Sequence, residues 1–208
     1  MSAESKTKCP YCDHILNKKP RKSEICEFCG NTYYVKNRIL LTSDEIDIQE
    51  WLNRLSFLDL SRKQFDENRK SLSIQLGHEV PVREVIWRIL YQSLSTPDHA
   101  RLSAVYHTLA GLAKEEEKDP KEFIRLALQH GLLNIKDGGF YEKITIHTMN
   151  DQSVCPGCRE LNGKCIDLEQ ALKELPVPSA CTNESGCRCF YTPHTRLSVW
   201  RIPIFFLY

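Results

Sequence analysis

Apolar residues recur at helical spacing through the middle of this chain and crowd at strand-like spacing near both ends, which predicts a helical centre between two smaller β-containing parts. Thr42 with Glu45 forms a capping-box signature, and Ile46, Trp51, Leu52 and Leu55 follow near one helical face. Ser61 with Gln64 repeats the signature, and Phe65, Leu72 and Leu76 carry the stripe to a stop at Gly77. Pro81 opens a third helix with Val82, Val85, Ile86, Ile89 and Leu90 on its buried side. Thr96-Pro97-Asp98 announces a fourth, through Leu102, Val105, Tyr106, Leu109 and Leu112. Asp119-Pro120 starts a fifth, with Phe123, Ile124, Ala127 and Leu128, expected to end at Gly131.

The grammar changes at Asp137-Gly138-Gly139, a turn leading to a β-branched and aromatic run from Phe140 to Met149 that predicts a strand. Asp167 with Gln170 predicts a short capped helix ending before Pro176 and Pro178. The apolar close from Leu197 to Tyr208 predicts one or two further strands. At the front, Tyr33, Tyr34 and Val35 suit a hairpin, on which the two tyrosines alternate so that one faces out. The expected fold class is α+β, mostly α, with parts at 1–40, 43–136 and 137–208. Trp51 and Trp87 fall on apolar stripes, which predicts core packing for both.

Composition adds limits. The chain has 208 residues and is 41% hydrophobic, enough for one modest core and satellites that need staples. Its start is polar with no apolar run, which predicts neither a secretory signal nor a membrane-spanning helix, and a cytoplasmic location. There, ten cysteines read as metal ligands before disulfides. The formal charge of +1 disfavours a large electrostatic grip on nucleic acid. Each zinc ion on four cysteines would lower it by about 2, since four protons leave as one dication arrives.

The cysteines carry the strongest chemistry. Cys9 and Cys12 are followed by Cys26 and Cys29, two Cys-x-x-Cys pairs whose spacing is that of a four-thiolate zinc site in a zinc ribbon. Such a site has no open position for water, so it is structural. Gly30, after the second pair, suits the left-handed turn of a metal knuckle, and Asp13, after the first, accepts it less easily. The loop holding Lys18, Lys19, Arg21 and Lys22 is the candidate phosphate contact. A second group comprises Cys155, Cys158, Cys181, Cys187 and Cys189, and only Cys165 stands apart.

The run from Val154 to Lys164, with Cys155-Pro156-Gly157-Cys158 and Asn162-Gly163-Lys164, leads through prolines to Cys187-Arg188-Cys189. In that order it resembles the C-terminal zinc motif of phage head-morphogenesis proteins, the Mu F-like minor head family, over about residues 140–193. Cys181 stands where the family has histidine, and Asn162 where aspartate is usual. The resemblance implies a treble-clef-like zinc module with Cys155, Cys158, Cys181 and one of Cys187 or Cys189 as ligands. Analogy with the first cysteine of Cys-Arg-Cys favours Cys187. Cys165 then packs as a small apolar residue; in a reserve reading it is a ligand and the closing cysteines form an exposed redox pair.

These features predict two zinc ions and a non-catalytic interaction protein with protein partners, related to phage head assembly through the C-terminal motif. A nucleic-acid-binding ribbon is the alternative. A third reading is a treble-clef metal nuclease using His147 and His194 with Asn150 and Asp151, although these residues follow no strict template.

Overall fold

The computed structural model describes residues 7–17, 20–149, 151–184 and 186–194. The chain is mixed helix and strand, mostly helical, with two small sheets among the described residues, and divides into two compact units, 1–86 and 87–208. The expected strands of Leu197–Tyr208 lie outside the described residues.

In the first unit, β1 (Glu24–Ile25), β2 (Thr32–Lys36) and β3 (Ile39–Leu41) form an antiparallel sheet in sequence order. Tyr33 points inward and is buried, while Tyr34 is half-exposed. Helix α1 (Ser43–Arg54) starts at the predicted capping box: Glu45 N–H donates to Thr42 Oγ1 at 3.2 Å, and Thr42 N–H to the Glu45 carboxylate at 2.7 Å. Helix α2 (Arg62–Leu76) starts at the same device on Ser61 and Gln64, and stops at Gly77 in the left-handed conformation. Ile48, Trp51, Leu55 and Phe65 are buried. Helix α3 (Val82–Gln92) follows Pro81, and the boundary between the units falls within it.

In the second unit, α4 (His99–Glu115) begins at Asp98, whose carboxylate accepts from Arg101 N–H. Helix α5 (Lys121–Asp137) runs past Gly131, its expected end. Gly131 faces α4, where a Cβ would lie 3.5 Å from Ser103 Oγ, and Leu132 beyond it is fully buried. Packing on α4 outweighs the roughly 1 kcal/mol helix penalty of one glycine. Trp87 departs from the core expectation: it is half-buried, its indole N–H donates to Glu116 at 2.9 Å, and Lys118 lies over its ring.

Strand β4 (Lys143–His147) is central in an antiparallel sheet of order β5-β4-β6, with β5 (Cys165–Asp167) and β6 (Phe190–Pro193). Short helices α6 (Pro156–Leu161), α7 (Leu168–Glu174) and α8 (Pro176–Ser179, broken at Val177) complete this unit. Asp167 precedes α7 without a side-chain cap, contrary to expectation. The helix leaves β5 directly, Leu168 N–H donates to Glu142 O, and Gln170 turns to Glu174. One core joins Ile124, Leu128 and Leu132 of α5 to Ile144 and Ile146 of β4, Leu168 and Ala171 of α7, and the buried cysteines of this unit. Helix α5 therefore shares its core with the cysteine-bearing sheet.

Candidate metal centres

Each N-terminal pair sits in a tight knuckle. Asp13 N–H donates to Cys9 O and Gly30 N–H to Cys26 O, closing matching five-residue turns. Both Asp13 (φ 56°) and Gly30 (φ 73°) are left-handed, the conformation anticipated for a knuckle. The knuckles face each other, with Cys9 Sγ 3.9 Å from Cys29 Sγ and Cys12 Sγ 3.9 Å from Cys26 Sγ, and all four sulfurs lie within 4.8 Å of one another. Thiolates at about 2.3 Å from a tetrahedral zinc are about 3.8 Å apart, whereas a disulfide needs about 2.05 Å. The spacing fits four ligands of one ion, and this cluster can hold one.

Electrostatics agree. The backbone N–H groups of Cys29 and Phe28 lower Cys26 to about 7. At Cys12 a backbone hydrogen bond involving His14 works downward but is outweighed by desolvation and three neighbouring sulfurs, which raise the thiol to about 12. A thiolate at one sulfur thus opposes ionisation of the next, a conflict that a bound cation would relieve.

The second centre is assembled from α6, the loop after α8 and the approach to β6. Pro156 occupies the first turn of α6 and places Cys155 and Cys158 on the knuckle, with Arg159 N–H donating to Cys155 O. Gly157 is pressed against the next loop, where a Cβ would lie 2.5 Å from Ala180 O. The Gly-Lys turn fastens the knuckle to the sheet: Gly163 N–H donates to Ile146 O at 2.8 Å and Ile146 N–H to Lys164 O at 3.0 Å. The amide oxygen of Asn162 accepts from Thr148 N–H at 3.0 Å.

Cys155 Sγ lies 3.9 Å from Cys181 Sγ, and Cys158 Sγ 3.7 Å from Cys187 Sγ, again tetrahedral-edge lengths. The backbone amides of Cys158 and Thr182 bring Cys155 down to about 6. Burial and the Cys155 sulfur push Cys158 up, and the Cys189 sulfur and burial do the same to Cys187. Cys189 is buried beside Cys187, and both lie within 4.8 Å of Cys158. These five cysteines can also hold metal.

No family model, curated protein or solved structure matches the chain.

Cys165 is exposed on β5 opposite Thr145 and belongs to neither cluster. Cys187 and Cys189 are buried, which removes the exposed redox pair of the reserve reading. His147 and His194 come to one face of the sheet, where His147 Nε2 lies 2.9 Å from Thr192 Oγ1 and His194 Nδ1 3.1 Å from Thr145 Oγ1. Asn150 lies outside the described residues. Asp151 is tied to Arg188 and Ser153, which hold its carboxyl at about 2. Among the described residues, the groups of three or more candidate ligands are made of cysteine alone. Lys18 and Lys19 lie outside the described residues, while Arg21 and Lys22 are exposed.

Sequence reasoning missed the clamp in which Arg188 meets both the Asp151 carboxylate and Ser153 Oγ. Its signal was alternation: in an extended Cys-Arg-Cys segment the middle side chain turns away from the two sulfurs. No helix among the described residues is long and apolar enough to cross a membrane.

Proposed function

We propose that this chain is a zinc-stabilised, non-catalytic interaction protein, with a zinc-ribbon-like N-terminal module and a treble-clef-like C-terminal one. The carrying observation is the sulfur spacing: cross-knuckle pairs at 3.9 Å in the first centre, and 3.9 and 3.7 Å in the second. Four-thiolate zinc, the arrangement of the first centre, is closed to substrate, so the metal's work there is to hold surfaces in place.

The partner is a protein. The small first module keeps Ile25 66%, Phe28 56% and Ile39 60% exposed, apolar area that a protein contact would cover. The order of knuckle, Gly-Lys turn and Cys-Arg-Cys supports a relation to phage head morphogenesis. A nucleic-acid contact through the exposed Arg21 and Lys22 is the second reading. It requires affinity that falls steeply with salt, which a largely apolar protein contact does not.

Metal analysis of protein purified without added metal tests the reading. Zinc at both centres is expected, with Cys9→Ser losing the first ion and Cys155→Ser losing that of the second centre. A chain with free thiols at both ends would sink it.

A further inference from the structure

The first centre provides a reference for the second within the same molecule. Its four sulfurs all lie within 4.8 Å of one another, as a single tetrahedral ion requires. The second centre groups differently. Its sulfurs fall into two triads, Cys155/Cys158/Cys181 and Cys158/Cys187/Cys189, with Cys158 common to both. One tetrahedral-edge approach lies in each triad, 3.9 Å for Cys155 to Cys181 and 3.7 Å for Cys158 to Cys187.

We propose that the second centre takes two soft metal ions, with the Cys158 thiolate bridging them, Cys155 and Cys181 completing one set and Cys187 and Cys189 the other. The proposal rests on the thiolate-metal reading of this centre. The class is that of Zn²⁺, Cd²⁺ or Cu⁺, which favour sulfur; Mg²⁺ and Ca²⁺ require oxygen ligands.

Two further observations point the same way. Cys158, Cys187 and Cys189 are all buried, at 1%, 8% and 6% exposure. Five thiolates around one dication would leave a net charge of about −3, and around two dications about −1, a large difference where water does not screen. Arg188, the nearest cation in sequence, is held outward on Asp151 and Ser153. The two flanking sulfurs lie on the other side, within 4.8 Å of Cys158.

The test is cadmium titration of the intact, metal-stripped and reduced chain, read by thiolate-to-metal absorbance and elemental analysis. One tetrad and two triads predict saturation at three ions per wild-type chain, two for Cys189→Ser and one for Cys158→Ser. In ¹¹³Cd NMR, two of the three wild-type resonances couple to each other through the shared sulfur, and the coupling vanishes in Cys189→Ser. Wild-type saturation at two ions, one of them lost in Cys155→Ser, overturns the proposal and leaves the single-ion reading standing, with Cys189 a spare thiol. Fewer than two ions overturns both. The wild-type measurement is sufficient even where a variant fails to fold.

Discussion

At the scale of single residues, glycines and polar side chains around the second centre determine whether sulfurs arrive where a metal can use them. Gly157 is the tightest of these: a Cβ there meets the Ala180 carbonyl oxygen, a backbone atom that cannot swing aside. Gly157→Ala is expected to cost about 1–3 kcal/mol of stability and to weaken metal retention at the second centre, read by chelator-driven release with the first centre as control. Gly186 (φ 91°) precedes Cys187, and a side chain there would run into Ile124 of α5. The cysteine pairs and the Gly-Lys turn were legible in the sequence because their spacing is local. The Arg188 clamp and the role of Gly157 were not, since each depends on loops more than 20 residues away meeting in space.

At the scale of elements, caps and stops each held in one place and failed in another: Asp167 made no cap while Gly77 stopped α2. Thr42 and Ser61 formed their predicted boxes, and replacing Ser61 with Ala is expected to remove about 1 kcal/mol, measured by denaturant midpoint. Gly131 failed as a stop because the next turn of α5 has a core to bury, and tertiary packing decides when a local signal is weak. That core makes α5 a support of the second candidate metal centre. Leu128→Ala is expected to cost about 2–5 kcal/mol and to speed metal release from the second centre without touching a ligand. Helices α4 and α5 also carry a titratable contact, His99 Nδ1 to His130 Nδ1 at 2.9 Å, with His99 Nε2 3.9 Å from Asp137 and Tyr106 stacked on His130. Burial, then the His99 charge, lowers His130 below its ordinary 6.5. Its contribution is fully present above pH 6.5 and is lost as pH falls through the lower folded-state value. His130→Gln should flatten the fall in thermal midpoint between pH 7 and 5; an unchanged slope would show that His130 contributes nothing to it.

At the scale of the whole molecule, helix and strand content and the two cysteine clusters were readable from periodicity and spacing, whereas what covers α5 was not. The turn at Asp137-Gly138-Gly139 looks like a border, yet Ile124, Leu128 and Leu132 before it and Ile144 and Ile146 after it are buried together. Periodicity reveals that a helix has an apolar face but not what will cover it. Metal removal should therefore disturb α5 as well as the cysteine loops, and hydrogen exchange along Ile124–Leu132 is expected to rise on adding a chelator. The same arrangement sets an order in time. As the chain leaves the ribosome, the first set of sulfurs is complete once Cys29 has emerged and its hairpin closes by Leu41, so the metal can be taken up early. The face of α5 that carries Ile124, Leu128 and Leu132 must wait uncovered until Cys187 and Tyr191 arrive, 50 or more residues after α5 ends. During that interval the nascent chain is most exposed to chaperones and to aggregation, and a shortage of metal would be felt there first.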